Sequence, residues 1–250
     1  MKSFLSRMPL SLICSITWGL LVAGPAQGAE LTVTSGPQQT HLLELFSSEG
    51  CSSCPPAEEW FSALRQNPRL WKEIVPVGFH VDYWDGLGWP DSLAKPGFTG
   101  RQRNYAASWG SDTVYTPEFV LDGREWRARD LASISKSVDD AGTLTAVIRE
   151  GRQVEITYQP PKGATGHWQA HAALLGMNIA SDVKAGENSG RHLVHDFAVL
   201  SLQDAAMPGE TPRATLVLPA NRMPGRQTAV AVWVTQEGAQ APLQAAGGFL

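Results

Sequence analysis

Hydrophobic positions along the chain follow two different rhythms. In the first half they come as apolar runs alternating with helical spacing. Leu42, Leu43, Leu45 and Phe46 form a run of the kind that becomes a buried strand, broken at Ser47–Gly50. Pro55-Pro56 then open a predicted helix to about Gln66, with Trp60, Phe61 and Leu64 inward and Asn67-Pro68 as the stop. Glu73 to Trp84, rich in β-branched and aromatic residues, predicts a second buried strand. A strand–helix–strand unit makes these two strands parallel. Thr99 to Trp109 has helical character, with Thr99 as its cap and Arg101, Gln102 and Arg103 as a solvated face. Phe119 to Leu121 predicts a strand that turns at Asp122-Gly123 into a return strand from Arg124. Leu131, Ile134 and Val138 predict an amphipathic helix over Arg129 to Asp140, ended by Gly142. Ala29 to Thr40, polar with Gly36-Pro37, reads as a loose lead-in.

From Thr143 the period drops to two. Leu144–Ile148, Val154–Tyr158, His167–Met177, Leu193–Leu202, Ala214–Leu218 and Ala229–Thr235 are short, alternating and β-rich. Turns at Glu150-Gly151, Pro160-Pro161, 186–190 and Pro224-Gly225 separate them. Such spacing predicts an antiparallel, sandwich-like arrangement.

Composition narrows the possibilities. The 250 residues carry a formal net charge of −4 and hold no dense cluster of Lys and Arg, so nothing marks a nucleic-acid footprint. The first residues read as a signal peptide over 1–28: Lys2 and Arg7, an apolar segment from Pro9 to Val22, and a small-x-small site at Ala26-Gln27-Gly28. The apolar segment is short and lacks a basic stop-transfer flank, so no stable membrane insertion is expected after cleavage. This places the mature chain in the periplasm or outside the cell.

That reading sharpens the cysteine count. Of three cysteines, Cys14 leaves with the signal, and Cys51 and Cys54 remain as one pair in an oxidising compartment. They flank Ser52-Ser53 where a strand gives way to a helix, the layout of thioredoxin-type redox sites. A thiolate at a helix N-terminus is stabilised by unpaired N–H groups and the helix dipole, which makes it nucleophilic. A disulfide closing so short a loop constrains the unfolded chain little, so reactivity is the better reason for the pair. In this scheme Cys51 is the exposed attacking thiol and Cys54 resolves the mixed disulfide. Glu44, a carboxylate among apolar neighbours, is either an edge residue reaching water or a buried base behind Cys54. His80, Asp82 and Asp85 follow the second strand at the sheet edge that holds the cysteines, where ligands gather. Thr116-Pro117, ahead of the hairpin, is the candidate cis bond, set to pack on the disulfide and position a partner peptide. His167 with His171, and His192 with His195, are expected to be solvated strand residues. A metal on the first pair is the lesser reading, since no third ligand is evident.

The runs LLELFSSEGCSSCPPAEEW, HVDYWDGLGW, TGRQRNYA and VYTPEFVLDG resemble the secreted, thioredoxin-like bacterial proteins grouped as a domain of unknown function. GENSGRHLVHDFAVLSL resembles a further recurring segment of the same family. The resemblance implies an α/β thioredoxin-like N-terminal domain over 29–142, ahead of the all-β, sandwich-like domain that strand spacing predicts over 143–250. It matches Cys51 and Cys54 to the paired cysteines and Pro117 to the cis-proline. Ser52-Ser53 departs from the Gly-Pro pair of thioredoxins proper, so the redox direction does not carry over. The leading expectation is an exported thiol–disulfide oxidoreductase acting on protein or small-molecule thiols and disulfides through Cys51, Cys54, Pro117, Thr116 and Glu44, without cofactor or metal. The alternatives are a non-enzymatic secreted module with an inert disulfide, or a Cu(I) carrier using both thiolates and a histidine such as His80.

Overall fold

The buried run at Leu42 forms strand β2 (His41–Ser47), and Glu30–Thr34 ahead of it forms β1. The computed structural model describes Met1 and residues 30–150, 152–219 and 227–250. The signal segment, the Pro224-Gly225 turn and Gly151 lie outside the described residues. Helix α1 (Pro55–Ser62) continues as a 3-10 turn (Ala63–Gln66) into β3 (Ile74–His80). Next come α2 (Pro96–Ser108) and the hairpin of β4 (Glu118–Leu121) and β5 (Arg124–Glu125). The remaining strands are β6 (Thr143–Arg149), β7 (Gln153–Gln159), β8 (Trp168–Gly176), β9 (Ile179–Asp182), β10 (His192–His195), β11 (Ala198–Met207), β12 (Arg213–Val217), β13 (Thr228–Gln236) and β14 (Pro242–Phe249).

These strands overturn the expected α/β thioredoxin-like N-terminal domain. The described residues are mostly β, with only two short α-helices among them. Strands β2 to β5 are one end of an eight-stranded sheet ordered β14-β13-β8-β11-β3-β2-β4-β5. The join is a parallel step from β3 to β11, where Ala198 pairs with Gly78 and the Gly78 N–H donates to the Phe197 carbonyl at 2.8 Å. Periodicity marks which residues are strand, but it does not say which distant strand takes an open edge.

Several local expectations hold. β2 and β3 are parallel in register from His41↔Ile74 to Ser47↔His80. Asp122 and Gly123 both have positive φ, as a two-residue hairpin of this kind requires, and a Cβ on Gly123 would sit 2.7 Å from that of Ala241. The Thr116–Pro117 bond is cis.

Other expectations fail for identifiable reasons. The helix over Arg129 to Asp140 is replaced by one 3-10 turn, Leu131–Ser133, and Val138 is exposed. The Arg69 guanidinium donates to the carbonyls of Leu131 and Ile134, each at 2.7 Å, drawing out acceptors that a helix would use internally. The lead-in is not loose: β1 pairs with β6, and Val33 is buried in the core. Arg101 and Gln102 are not solvated, and Thr99 lies within the first turn of α2 rather than capping it.

A second sheet, β1-β6-β7-β12, packs on one face of the large sheet. Leu144, Ile148, Ile156 and Tyr158 meet Ala172, Val230, Val232 and Val234 there, so the second half does pack sheet on sheet. A separate core, built from Phe46, Phe61, Phe79, Tyr105, Phe197 and Trp233, joins α1 and α2 to the large sheet. That second core is what positions the cysteines.

Candidate functional site

Cys51 and Cys54 are joined by a disulfide, and Cys54 occupies the N-cap position of α1. Pro55 and Pro56 fill the first turn, where a missing N–H costs nothing. The Ala57 and Glu58 N–H groups donate to the Cys54 carbonyl at 2.9 and 3.1 Å. The Cys51 Sγ lies 3.3 Å from the Ser53 hydroxyl and 3.7 Å from the Thr116 carbonyl, which places the cis Thr116–Pro117 bond beside the disulfide. The Trp84 indole N–H donates to the Thr116 hydroxyl at 2.8 Å and fixes that loop. Gly50 is needed for the approach: a Cβ there would sit 2.9 Å from the Cβ of Trp84.

Neither sulfur is exposed; both cysteines are 0% accessible. The expected exposed Cys51 is therefore buried, and its loop is held by residues from the far half of the sequence. Buried Asn188 donates from its amide to the carbonyls of Glu49 and Cys51 at 2.8 and 2.9 Å, while Arg191 donates to its oxygen at 3.1 Å. Glu187 accepts the Ser52 N–H at 3.0 Å. The segment 186–190 thus clasps the cysteine loop. We expect Asn188→Ala to strip the donor from the buried Glu49 carbonyl, leave the Cys51 carbonyl with the Cys54 N–H alone, and cost on the order of 1–2 kcal/mol. Thermal unfolding should show the loss, and the disulfide should be reduced faster by dithiothreitol. An unchanged reduction rate would mean that the clasp does not shield the sulfurs.

Strand alternation decides which groups stand behind the cysteines. Leu45 and Gly78 are paired, and the space a Cβ on Gly78 would fill lies 3.5 Å from the Phe61 ring of α1. Leu45, Ser47 and His80 therefore face α1, and Glu44 faces α2. Glu44 is fully buried, with a bidentate bond from Arg101 at 2.6 and 3.0 Å and a 2.5 Å bond from the Tyr105 hydroxyl. Arg101 also lies over the rings of Phe79, Tyr105 and Trp233. Burial works against its charge, but Glu44 holds it firmly protonated.

The α1 face holds a buried network that the sequence did not assemble. His80 Nδ1 meets Asp91 at 2.6 Å, and Asp91 also accepts the Glu49 N–H at 2.9 Å. His195 touches Glu58 through Nδ1 and Glu49 through Nε2, the latter at 3.2 Å. Ser47 donates to Glu58, and the Trp89 indole donates to Glu49 at 2.6 Å. Burial disfavours charge throughout this network, yet its partners prevail. Glu58 and Glu49 push His195 up to about 10, Asp91 raises His80, and His80 brings Asp91 down to about 2.

The remaining candidates sit elsewhere. Asp82 accepts the Thr99 hydroxyl at 2.6 Å, and Asp85 accepts the Asp91 N–H at 3.1 Å. His171 is not solvated: it stacks on Trp233 and bonds Asp204 and Thr235. His167 and His192 are exposed. Among the described residues, no hydrogen bond joins His80 to either sulfur. In the sequence, Glu58 is one acid in the first turn of a helix, suited to its positive end, and His195 reads as one of a solvated pair. Their meeting depends on β10 lying against α1, which no local spacing encodes.

Fold and site together define a class: a mostly β protein with a clasped CxxC disulfide at the start of a short helix. The chain belongs to the family described as Protein of unknown function (DUF1223), matched over residues 42–235. No curated protein sequence matches it. Among solved structures, protein AGR_C_4864 from Agrobacterium tumefaciens superposes with a TM-score of 0.57 at 25% identity, covering 86% of this chain and 96% of that one. HBP35 of Porphyromonas gingivalis superposes with a TM-score of 0.55 at 13% identity, covering 86% and 76%, a likeness of fold alone.

Proposed function

We propose that this protein is an exported thiol–disulfide oxidoreductase acting through Cys51 and Cys54. The observation that carries the reading is the Cys51–Cys54 disulfide at the start of α1, with the Thr116 carbonyl against the Cys51 sulfur. In the reducing direction, the Cys51 thiolate attacks a substrate disulfide and one substrate sulfur leaves as a thiol. The Cys54 thiolate then attacks Cys51, releasing the second substrate thiol and restoring the protein disulfide. In the oxidising direction the same steps run in reverse, and the substrate dithiol is oxidised. Thr116 and Pro117 border the sulfurs, where a partner chain would have to lie.

Glu44 serves this reading by holding the fold. Its oxygens are engaged by Arg101 and Tyr105, on the sheet face away from α1. Export follows from the signal-like start of the chain and sets the oxidising compartment in which the pair would work. One observation favours a second reading, a non-enzymatic module with an inert disulfide: both cysteines are wholly buried, and Asn188 holds the Cys51 carbonyl.

Equilibration with a glutathione redox series separates the two, with Trp84 beside Thr116 as the fluorescent reporter. An oxidoreductase should titrate reversibly within the range spanned by known thiol–disulfide exchange proteins, about −120 to −270 mV. A pair that stays oxidised below about −300 mV is a structural brace, and the proposal fails.

A further inference from the structure

Beneath the cysteine loop, the buried network converges on three side chains of metal-ligand type. We propose that Glu58, His80 and His195 form a binding site for a divalent metal ion, with Zn2+ as the ion their donor set suits best.

One ligand atom from each residue lies within 4.8 Å of those from the other two. They come from three separate elements: Glu58 from α1, His80 from the end of β3, and His195 from β10. All three are buried or nearly so, and with Ser47 they line a cavity of about 10 Å3. A space of that size takes one water-sized sphere.

The second layer fits as well. Asp91 accepts from His80 Nδ1, which leaves Nε2 as the ligating lone pair. Glu49 accepts from His195 Nε2, which leaves Nδ1 turned toward Glu58. Each imidazole is thus held by its own carboxylate, the arrangement that fixes the tautomer and orientation of metal-bound histidines. Ser47 holds the other oxygen of Glu58. The two rings stand edge to face, 4.8 Å apart at 88°.

Two nitrogens and one carboxylate oxygen form the three-ligand Zn2+ set, which keeps a fourth position for water. Ligand atoms of a tetrahedral ion stand roughly 3.3 Å apart, given bonds of about 2.0–2.1 Å. The ion would therefore part the His195–Glu58 contact and draw the widest pair in, side-chain movements of about an ångström. It would take the place of imidazole protons, so binding releases protons and strengthens with rising pH. The cysteines are not ligands in this site, which makes it independent of the redox proposal.

The test is calorimetric titration of Zn2+ into tag-free, chelator-treated protein with the disulfide intact. One equivalent should bind, with a heat that depends on the buffer's protonation enthalpy and a raised unfolding temperature. Glu58→Gln and His80→Gln should abolish that heat, and Asp91→Asn should weaken binding about 10–100-fold. Cys51→Ser/Cys54→Ser and His167→Gln/His192→Gln double variants should bind as the wild type does. No heat with the wild type, or binding lost with the exposed histidines, overturns the proposal. Should Glu58→Gln or His80→Gln fail to fold, X-ray absorption of the Zn2+-loaded wild type decides. Two imidazole ligands support the site; one or none overturns it.

Discussion

Arg101→Ala is expected to destabilise the folded chain by about 3–5 kcal/mol, the usual cost of breaking a buried ion pair from one side. The guanidinium is the bidentate partner of Glu44, and the Glu44 carboxylate is wholly shielded from water. Removing it leaves a buried carboxylate with only the Tyr105 hydroxyl as donor and opens a gap among Phe79, Tyr105 and Trp233. Replacing both charged partners with apolar residues should cost much less, because no uncompensated charge then remains. Denaturant unfolding of Arg101→Ala, Glu44→Leu and the Glu44→Leu/Arg101→Leu pair checks this. If the pair is as damaging as the sum of the singles, the ion pair is not the source of the loss.

The second large effect concerns the sulfurs. Cys51→Ser should abolish exchange, because it removes the nucleophile. Cys54→Ser should abolish turnover yet still form a mixed disulfide at Cys51, because the group that resolves it is gone. The two variants thus separate attack from resolution. Burial adds a kinetic signature: Asn188→Ala, which loosens the clasp on the Glu49 and Cys51 carbonyls, should speed formation of the Cys54→Ser mixed disulfide.

The structure also shows what kind of information the sequence carries. Features encoded within about forty residues were legible. The parallel β2–α1–β3 unit and the Asp122-Gly123 hairpin follow from local periodicity and turn chemistry, and the cis bond at Pro117 from its place between that unit and the hairpin. The cysteines were legible for the same reason. What the sequence withheld lies in pairings across the chain. The edge of β3 is taken by β11, more than a hundred residues away, and that step turns the expected α/β half into part of a large mixed sheet. Arg69 captures two carbonyls of a segment with helical spacing and prevents the helix. Glu44 and Arg101 are 57 positions apart; alone, Glu44 is ambiguous and Arg101 reads as solvated. His195 shows the same limit, since its strand spacing gave no sign that Glu58 and Glu49 enclose it.

Asn188 falls between these cases. Its segment reads in the sequence as a turn within a recurring stretch of the family, but only the folded chain gives it work, at the carbonyls of Glu49 and Cys51.

The central claim, that Cys51 and Cys54 exchange disulfides with a partner, is tested most directly by mass spectrometry of reduced Cys54→Ser incubated with a disulfide-bonded peptide. One peptide should attach through Cys51 and none to Cys51→Ser, and the wild type should turn over without accumulating the adduct. A reduced Cys54→Ser protein that forms no adduct, while remaining folded, would contradict the claim.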